Sequence, residues 1–141
     1  MDESAAELAS TLRPSLLKLT RIVRNQRVDL AVTLTQLSAM GTLKKLGPLS
    51  AGELATWERV QPPSMTKVLA SLEELKFITR TVHPADKRQA VITLTDSGRE
   101  LLDSESKSRE AWLSRQLEKL SVEERDLLRR VIPVLDKLAE L

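Results

Sequence analysis

A mainly α chain with a small β-hairpin wing is what this sequence predicts, and three observations predict it. Apolar residues recur at steps of three and four along most of the chain. Capping pairs, in which a Ser or Thr is followed three residues later by Glu or Gln, stand at Thr33/Gln36, Ser50/Glu53 and Ser121/Glu124. Between Ile78 and Leu94 the apolar period changes to two, on either side of a polar tip.

The first helix is marked by Leu8, Leu12, Leu16, Leu19 and Val23. Pro14 falls inside that pattern, so the regular helix is expected to begin near it or to bend there. A second helix starts at Thr33, carries Leu37, Met40, Leu43 and Leu46, and ends at Gly47-Pro48. Ser50 opens a third. The fourth starts near Pro62, where the missing N–H costs nothing because first-turn donors have no intrahelical partner. Ile78–Val82 and Ala90–Leu94 read as two strands around His83-Pro-Ala-Asp-Lys-Arg-Gln89. Thr95 can cap a fifth helix with Leu101, Leu102, Trp112, Leu113 and Leu117. Ser121 begins the last, which is expected to continue to Leu141 with a kink at Pro133. A short helix, a tight turn, a second helix and then a hairpin make a winged helix-turn-helix with flanking helices.

Composition narrows the function classes. A hydrophobic fraction of 41% allows a real core, yet aromatic residues make up 2%, so that core must be aliphatic. Scarce aromatics also argue against single-stranded nucleic acid, which is held on stacking platforms. The net charge of +2 diagnoses nothing by itself. Its distribution says more: residues 1–12 hold three acids and no base, whereas Arg13 to Arg27 hold five bases and no acid. With no Cys and one His (His83), neither thiolate chemistry nor a multi-histidine metal site is expected. No catalytic residue or cofactor is expected either: no glycine-rich phosphate loop is present, and a nucleophile would have to work around a lone His in a hairpin. The acidic start and the lack of a long apolar run predict a cytoplasmic protein without a membrane anchor.

The fourth helix carries the chemistry. Met65, Leu69, Leu72 and the stem of Lys76 share one arc, flanked by Val68 and Leu75, and should pack on Leu54 and Ala55 of the third helix. The opposite arc shows Pro63, Ser64, Thr66, Lys67, Ala70 and Ser71, short or cationic side chains at the end where the helix dipole favours phosphate. Such a helix suits the major groove of double-stranded DNA, with Lys67 offering a guanine preference. At the hairpin tip, Asp86, Lys87 and Arg88 place two cations on a thin ribbon, as entry into a narrow minor groove requires. Asp86 can hold Arg88 in pose through a charge-assisted hydrogen bond.

From about Leu34 to Glu100 the sequence resembles the MarR family of winged-helix transcriptional regulators. The matching text is Leu54-Ala-x-x-Glu58-x-Val60-x-Pro-Pro-Ser-Met-Thr-Lys67, then Leu72-Glu73, Asp86-x-Arg88 and Leu94-Thr-x-x-Gly98-Arg-Glu-Leu-Leu102. The order and spacing of these pieces are specific together. The resemblance implies one domain over residues 1–141, with a DNA-binding lobe at about 33–95 and a helical dimerisation lobe at about 5–28 and 96–141. It implies a homodimer on a pseudo-palindromic operator, usually a repressor, often released by a small anionic or aromatic effector. Carried over by position, Ser64, Thr66 and Lys67 face the major groove and Arg88 the minor groove. Arg59 and Lys76 stand where the family commonly has Gly, and a left-handed non-Gly residue costs roughly 1–2 kcal/mol. Two other readings compete: a PadR-like regulator, and a winged-helix protein-interaction module that does not bind DNA.

The ends of the chain argue for pairing. In the last helix Leu127, Leu128, Val131, Ile132, Val134, Leu135, Leu138 and Leu141 cover more than one narrow stripe, which calls for more than one partner surface. Leu8, Leu12 and Leu16 of the first helix, with Leu128, Val131, Leu135 and Leu138, are the expected dimer interface. Arg13, Arg21, Arg24 and Arg27 fall together on the first helix. A solvated face is the plainer explanation. The sharper one makes Arg21 and Arg24 an anion site between the two lobes.

Overall fold

The computed structural model describes residues 4–29 and 31–140. The chain runs α1 (Ala5–Arg24), α2 (Leu34–Leu46), β1 (Leu49–Ser50), α3 (Ala51–Glu58), α4 (Pro62–Glu74), β2 (Ile78–Val82), β3 (Ala90–Leu94), α5 (Asp96–Leu117) and α6 (Val122–Ala139). All three predicted capping boxes form, each with the Ser or Thr side chain accepting from the backbone N–H three residues on and the Glu or Gln there reaching back to the cap N–H. A fourth, Ser4 with Glu7, starts α1 well before Pro14, and the helix continues through that proline as one element. The expectation of a start near Pro14 is therefore corrected: the Ser4–Glu7 capping box fixes the start ten residues earlier, a local signal independent of the proline. α6 likewise continues through Pro133 and ends at Ala139; Leu141 lies outside the described residues.

The two strands form with the predicted bounds, paired antiparallel from Ile78 opposite Leu94 to Val82 opposite Ala90. The sheet has a third member that periodicity could not reveal. β1 is two residues long and pairs with the other edge of β3, Leu49 opposite Ile92 and Ser50 opposite Val91, in the order β1-β3-β2. Two residues carry no period.

Backbone contacts divide the chain into two compact units. One runs to Gln26 and resumes at Ser108; the other is Arg27–Lys107. Among the described residues, every buried apolar side chain lies between Val32 and Leu94, in the second unit. Leu37, Met40 and Leu43 of α2, Leu54 of α3, and Met65, Leu69 and Leu72 of α4 meet Ile78, Ile92 and Leu94 of the sheet in one aliphatic core. Gly98 of α5 docks so closely that a Cβ there would stand 2.4 Å from the Phe77 carbonyl oxygen and 2.7 Å from Leu94 Cδ1. In the other unit, neither α1 nor α6 has a buried residue. No helix among the described residues is long and apolar enough to cross a membrane.

Candidate nucleic-acid interface

The helix pair α3–α4 is set by its two ends. α3 closes on Arg59 in the left-handed region (φ 53), with Arg59 N–H donating to the Thr56 carbonyl and Val60 N–H to that of Ala55. α4 closes the same way on Lys76 (φ 66), with Lys76 N–H donating to Glu73 and Phe77 N–H to Leu72. Each is a Schellman turn, which reverses the chain in two residues while satisfying terminal carbonyls. Both positions that favour Gly are thus held left-handed by a cation. This corrects the expectation for Lys76: the left-handed turn takes it off the α4 arc, and its stem is exposed instead of packed. Glu58 ties α3 to α2 by accepting from Ser38 Oγ at 2.7 Å and from Thr42 Oγ1.

With Met65, Leu69 and Leu72 buried, the other side of α4 is left to solvent. Pro63, Ser64, Thr66, Lys67 and Ala70 are exposed and Ser71 is half-buried. The N-terminal donors are fewer than a helix start normally offers. Pro62 and Pro63 have no N–H, and Gln61 makes no side-chain cap. Ser64 N–H is the first-turn donor that remains for an anion. Thr66 Oγ1 donates back to the Pro62 carbonyl at 3.0 Å, so its hydroxyl faces outward as an acceptor. At the far end Glu73 pairs with Arg80 of β2 at 2.7 Å, which cancels an acid that would oppose phosphate.

The wing tip is a small hydrogen-bonded device. His83 N–H donates to the Gln89 carbonyl at 3.0 Å, closing the loop. His83 Nδ1 accepts from the backbone of Ala85 and Asp86 at 3.0 and 3.1 Å. Asp86 Oδ1 accepts from Arg88 N–H at 3.0 Å and from its Nε at 3.2 Å, while the guanidinium remains 91% exposed. The expected Asp86–Arg88 hydrogen bond is present. The Arg88 backbone N–H, and then its side chain, hold the Asp86 carboxyl below its ordinary value of 3.8. Lys87 is exposed beside it.

A groove of about 990 Å³ lies between α3 and the wing, lined among others by Glu53, Trp57, Arg80, Arg88 and Gln89. Trp57 is 63% exposed there. The Ser50 backbone N–H, then its hydroxyl, lower the Glu53 pKa from 4.5, so this wall is anionic while the opposite one holds two guanidiniums. Sequence reasoning missed Arg80. Its one signal was a cation at the parity of the buried Ile78, directly opposite the buried Ile92, where the alternation calls for an apolar residue. Arg21 and Arg24 are exposed in the last turn of α1, where cations complement the carbonyl end of the helix dipole. Among the described residues, no three His, Cys, Asp or Glu side chains converge as a metal site would require.

Comparison with known proteins yields one consistent answer. The family model described as "MarR family" matches residues 32–90. An uncharacterized HTH-type transcriptional regulator from Mycobacterium bovis is 43% identical over 129 residues, spanning 92% of this chain and 90% of that protein. The HTH-type transcriptional repressor MdtR of Bacillus subtilis is 31% identical over 126 residues, 86% of this chain and 81% of MdtR. Among solved structures, that of RV1404 from Mycobacterium tuberculosis is 25% identical and superposes with a TM-score of 0.84, covering 99% of this chain and 97% of the other.

Proposed function

Because this chain belongs to the MarR family of DNA-binding transcriptional regulators, which are not enzymes, we propose that it is a homodimeric repressor of a pseudo-palindromic operator. The observation that carries this reading is the α4 face: a solvent-facing Ser64, Thr66 and Lys67 on a helix whose other side is fully buried. Pro63 and Ser71 border that face, and Asp86, Lys87 and Arg88 supply the minor-groove arm. MdtR, a named repressor related over most of the chain, supports repression over activation. Pairing is supported by the uncovered apolar residues Leu8, Leu16, Leu128, Val131 and Leu138, with Leu12 and Leu135 half-covered beside them. A symmetric dimer presents its two recognition helices to half-sites about one turn (~34 Å) apart.

A small anionic or aromatic effector releases the operator. The groove beside Trp57 supports an effector with an aromatic ring, since the indole is exposed there beside Arg80 and Arg88, each already holding a carboxylate partner in Glu73 and Asp86. Binding there changes operator affinity by as much as its affinity differs between the bound and released conformations. Arg21 and Arg24 are the alternative anion site. An unchanged effector response in Arg21→Ala/Arg24→Ala excludes them. The protein works in the cytoplasm, where its operator is.

Fluorescence anisotropy on the DNA upstream of its own gene, across a salt series, tests the reading. Affinity is expected to fall with salt through counterion release. Lys67→Ala and Arg88→Ala are each expected to weaken binding by about 1–3 kcal/mol, and the loss of a phosphate contact lowers the salt slope by about one. Absence of binding at low salt, there and in a genomic fragment pool, would instead favour a protein-interaction module.

A further inference from the structure

One buried carboxylate has no part in the DNA-binding face. Glu105, on α5, is fully buried, and its Oε1 accepts from the backbone N–H groups of Val28 and Asp29 at 3.1 and 3.0 Å. Its Oε2 finds no partner among the described residues, nor does the carboxylate form an ion pair there. Burying a carboxyl with one oxygen unpartnered costs free energy that an apolar side chain would avoid, so the two backbone bonds are the gain that offsets it.

The position of the bond suggests what it does. The chain passes between its two compact units twice, at Gln26/Arg27 and at Lys107/Ser108. Glu105 stands two residues before the second crossing and grips the backbone one and two residues after the first. The gripped segment is itself stiffened: Arg27 Nη2 donates to the Asp29 carbonyl at 3.3 Å, and Ala31 N–H to Asp29 Oδ1 at 2.8 Å. Beyond it Val32 is fully buried and Thr33 caps α2. On the other side, α5 is pinned to the core by the close approach of Gly98 to Phe77.

We infer that Glu105 is a positioning residue that ties the first chain crossing to α5, the helix that runs unbroken through the second, and thereby sets which half-site spacing the dimer accepts. The inference rests on the dimeric reading above: if the first unit pairs two copies, the stiffness of the crossings decides how sharply recognition-helix spacing is defined. A loosened crossing lets each DNA-binding unit pivot, so that a mis-spaced operator is tolerated. Two hydrogen bonds from adjacent backbone N–H groups to one oxygen fix the direction of the segment as well as its distance, which suits a clamp.

The test compares wild type, Glu105→Gln and Glu105→Met on the operator and on duplexes with one base pair added or removed at its centre. One base pair shifts the half-sites by about 3.4 Å and rotates them by about 35°. Wild type is expected to lose about tenfold or more on mis-spaced duplexes, within the usual range of coupling between distant sites. Glu105→Gln keeps an acceptor and should retain that penalty. Glu105→Met keeps the length but no acceptor, and should shrink the penalty to about threefold or less with the salt slope unchanged. An undiminished penalty in Glu105→Met, or equal weakening at all spacings, overturns the lock. A wild type indifferent to spacing instead overturns the dimeric reading beneath it. Amide hydrogen exchange on the wild type guards against a variant that fails to fold: Val28 and Asp29 should be protected, and exchange at unprotected rates refutes the clamp.

Discussion

The Arg27–Lys107 unit and the helical unit formed by the two ends of the chain solve the same problem differently. The first buries aliphatic residues from α2, α3, α4, β2 and β3 in a core of its own, with Leu49 of β1 half-buried against it. The second has α1 and α6, whose apolar residues are comparably rich but none of which is buried: Leu127 is 60% exposed and Leu138 54%. A large apolar surface of this kind is what soluble monomers rarely display, and it marks an interaction surface. One region is complete within a single chain. The other leaves its apolar residues on α1 and α6 uncovered within one chain, which is the observation behind the proposed pairing.

The largest effect that could break this contrast is on α6. Leu128→Glu/Val131→Glu adds charge where a pairing surface is proposed, and should convert the dimer to monomer by analytical ultracentrifugation. Operator affinity should then fall by about a hundredfold or more, as loss of a central interface cluster costs 2 kcal/mol or more per residue. A monomer in both proteins, or an unaffected dimer, would sink that assignment. On the other side of the contrast, Gly98→Ala places a methyl group against a backbone carbonyl already committed to Thr95 N–H. Overpacking of this kind costs about 3 kcal/mol at the upper end, readable as a lower denaturation midpoint. A neutral result would mean that α5 shifts to accommodate it and that the Arg27–Lys107 core is looser than its packing implies.

Smaller effects sharpen the comparison. Arg59→Gly removes left-handed strain but adds freedom to the unfolded chain, and should leave a net gain of about 0.5–1 kcal/mol by chemical denaturation. A loss would show that Arg59 makes a contact worth more than the strain. The smallest effect concerns the wing tip and pH. Because the Asp86 carboxyl titrates below its ordinary 3.8, its contribution is present above that value and lost as pH falls through the lowered one. The Arg88 Nε resonance should therefore stay constant at neutral pH and move only in that acid range. A change near neutrality would show that the Asp86 carboxylate is not what holds the Arg88 side chain.

Many of the elements in both units were readable from local signals. The capping pairs at Thr33, Ser50 and Ser121 placed three helix starts, and the change of period placed β2 and β3 to the residue. The α4 face was readable because Met65, Leu69 and Leu72 recur at helical spacing and leave Ser64 and Lys67 opposite. Arg80 was not, since its pairing with Glu73 joins a helix end to a strand across a turn. Nor was the pair of proline-deleted donors at the α4 start weighed against phosphate binding, although Pro62-Pro63 announced it.

What the sequence by itself determined is therefore the set of elements, their order, and the face each helix buries, because capping and periodicity act within a few residues. What only the tertiary structure decided is long-range. β1 exists because β3 offers it an edge, Lys76 leaves its helix because the chain must turn into β2, and Glu105 reaches Val28 and Asp29 from more than seventy positions away. A two-residue strand or a single buried carboxylate has no periodic signature. Its partner is chosen by the fold, and the fold brings them together after the local elements have formed.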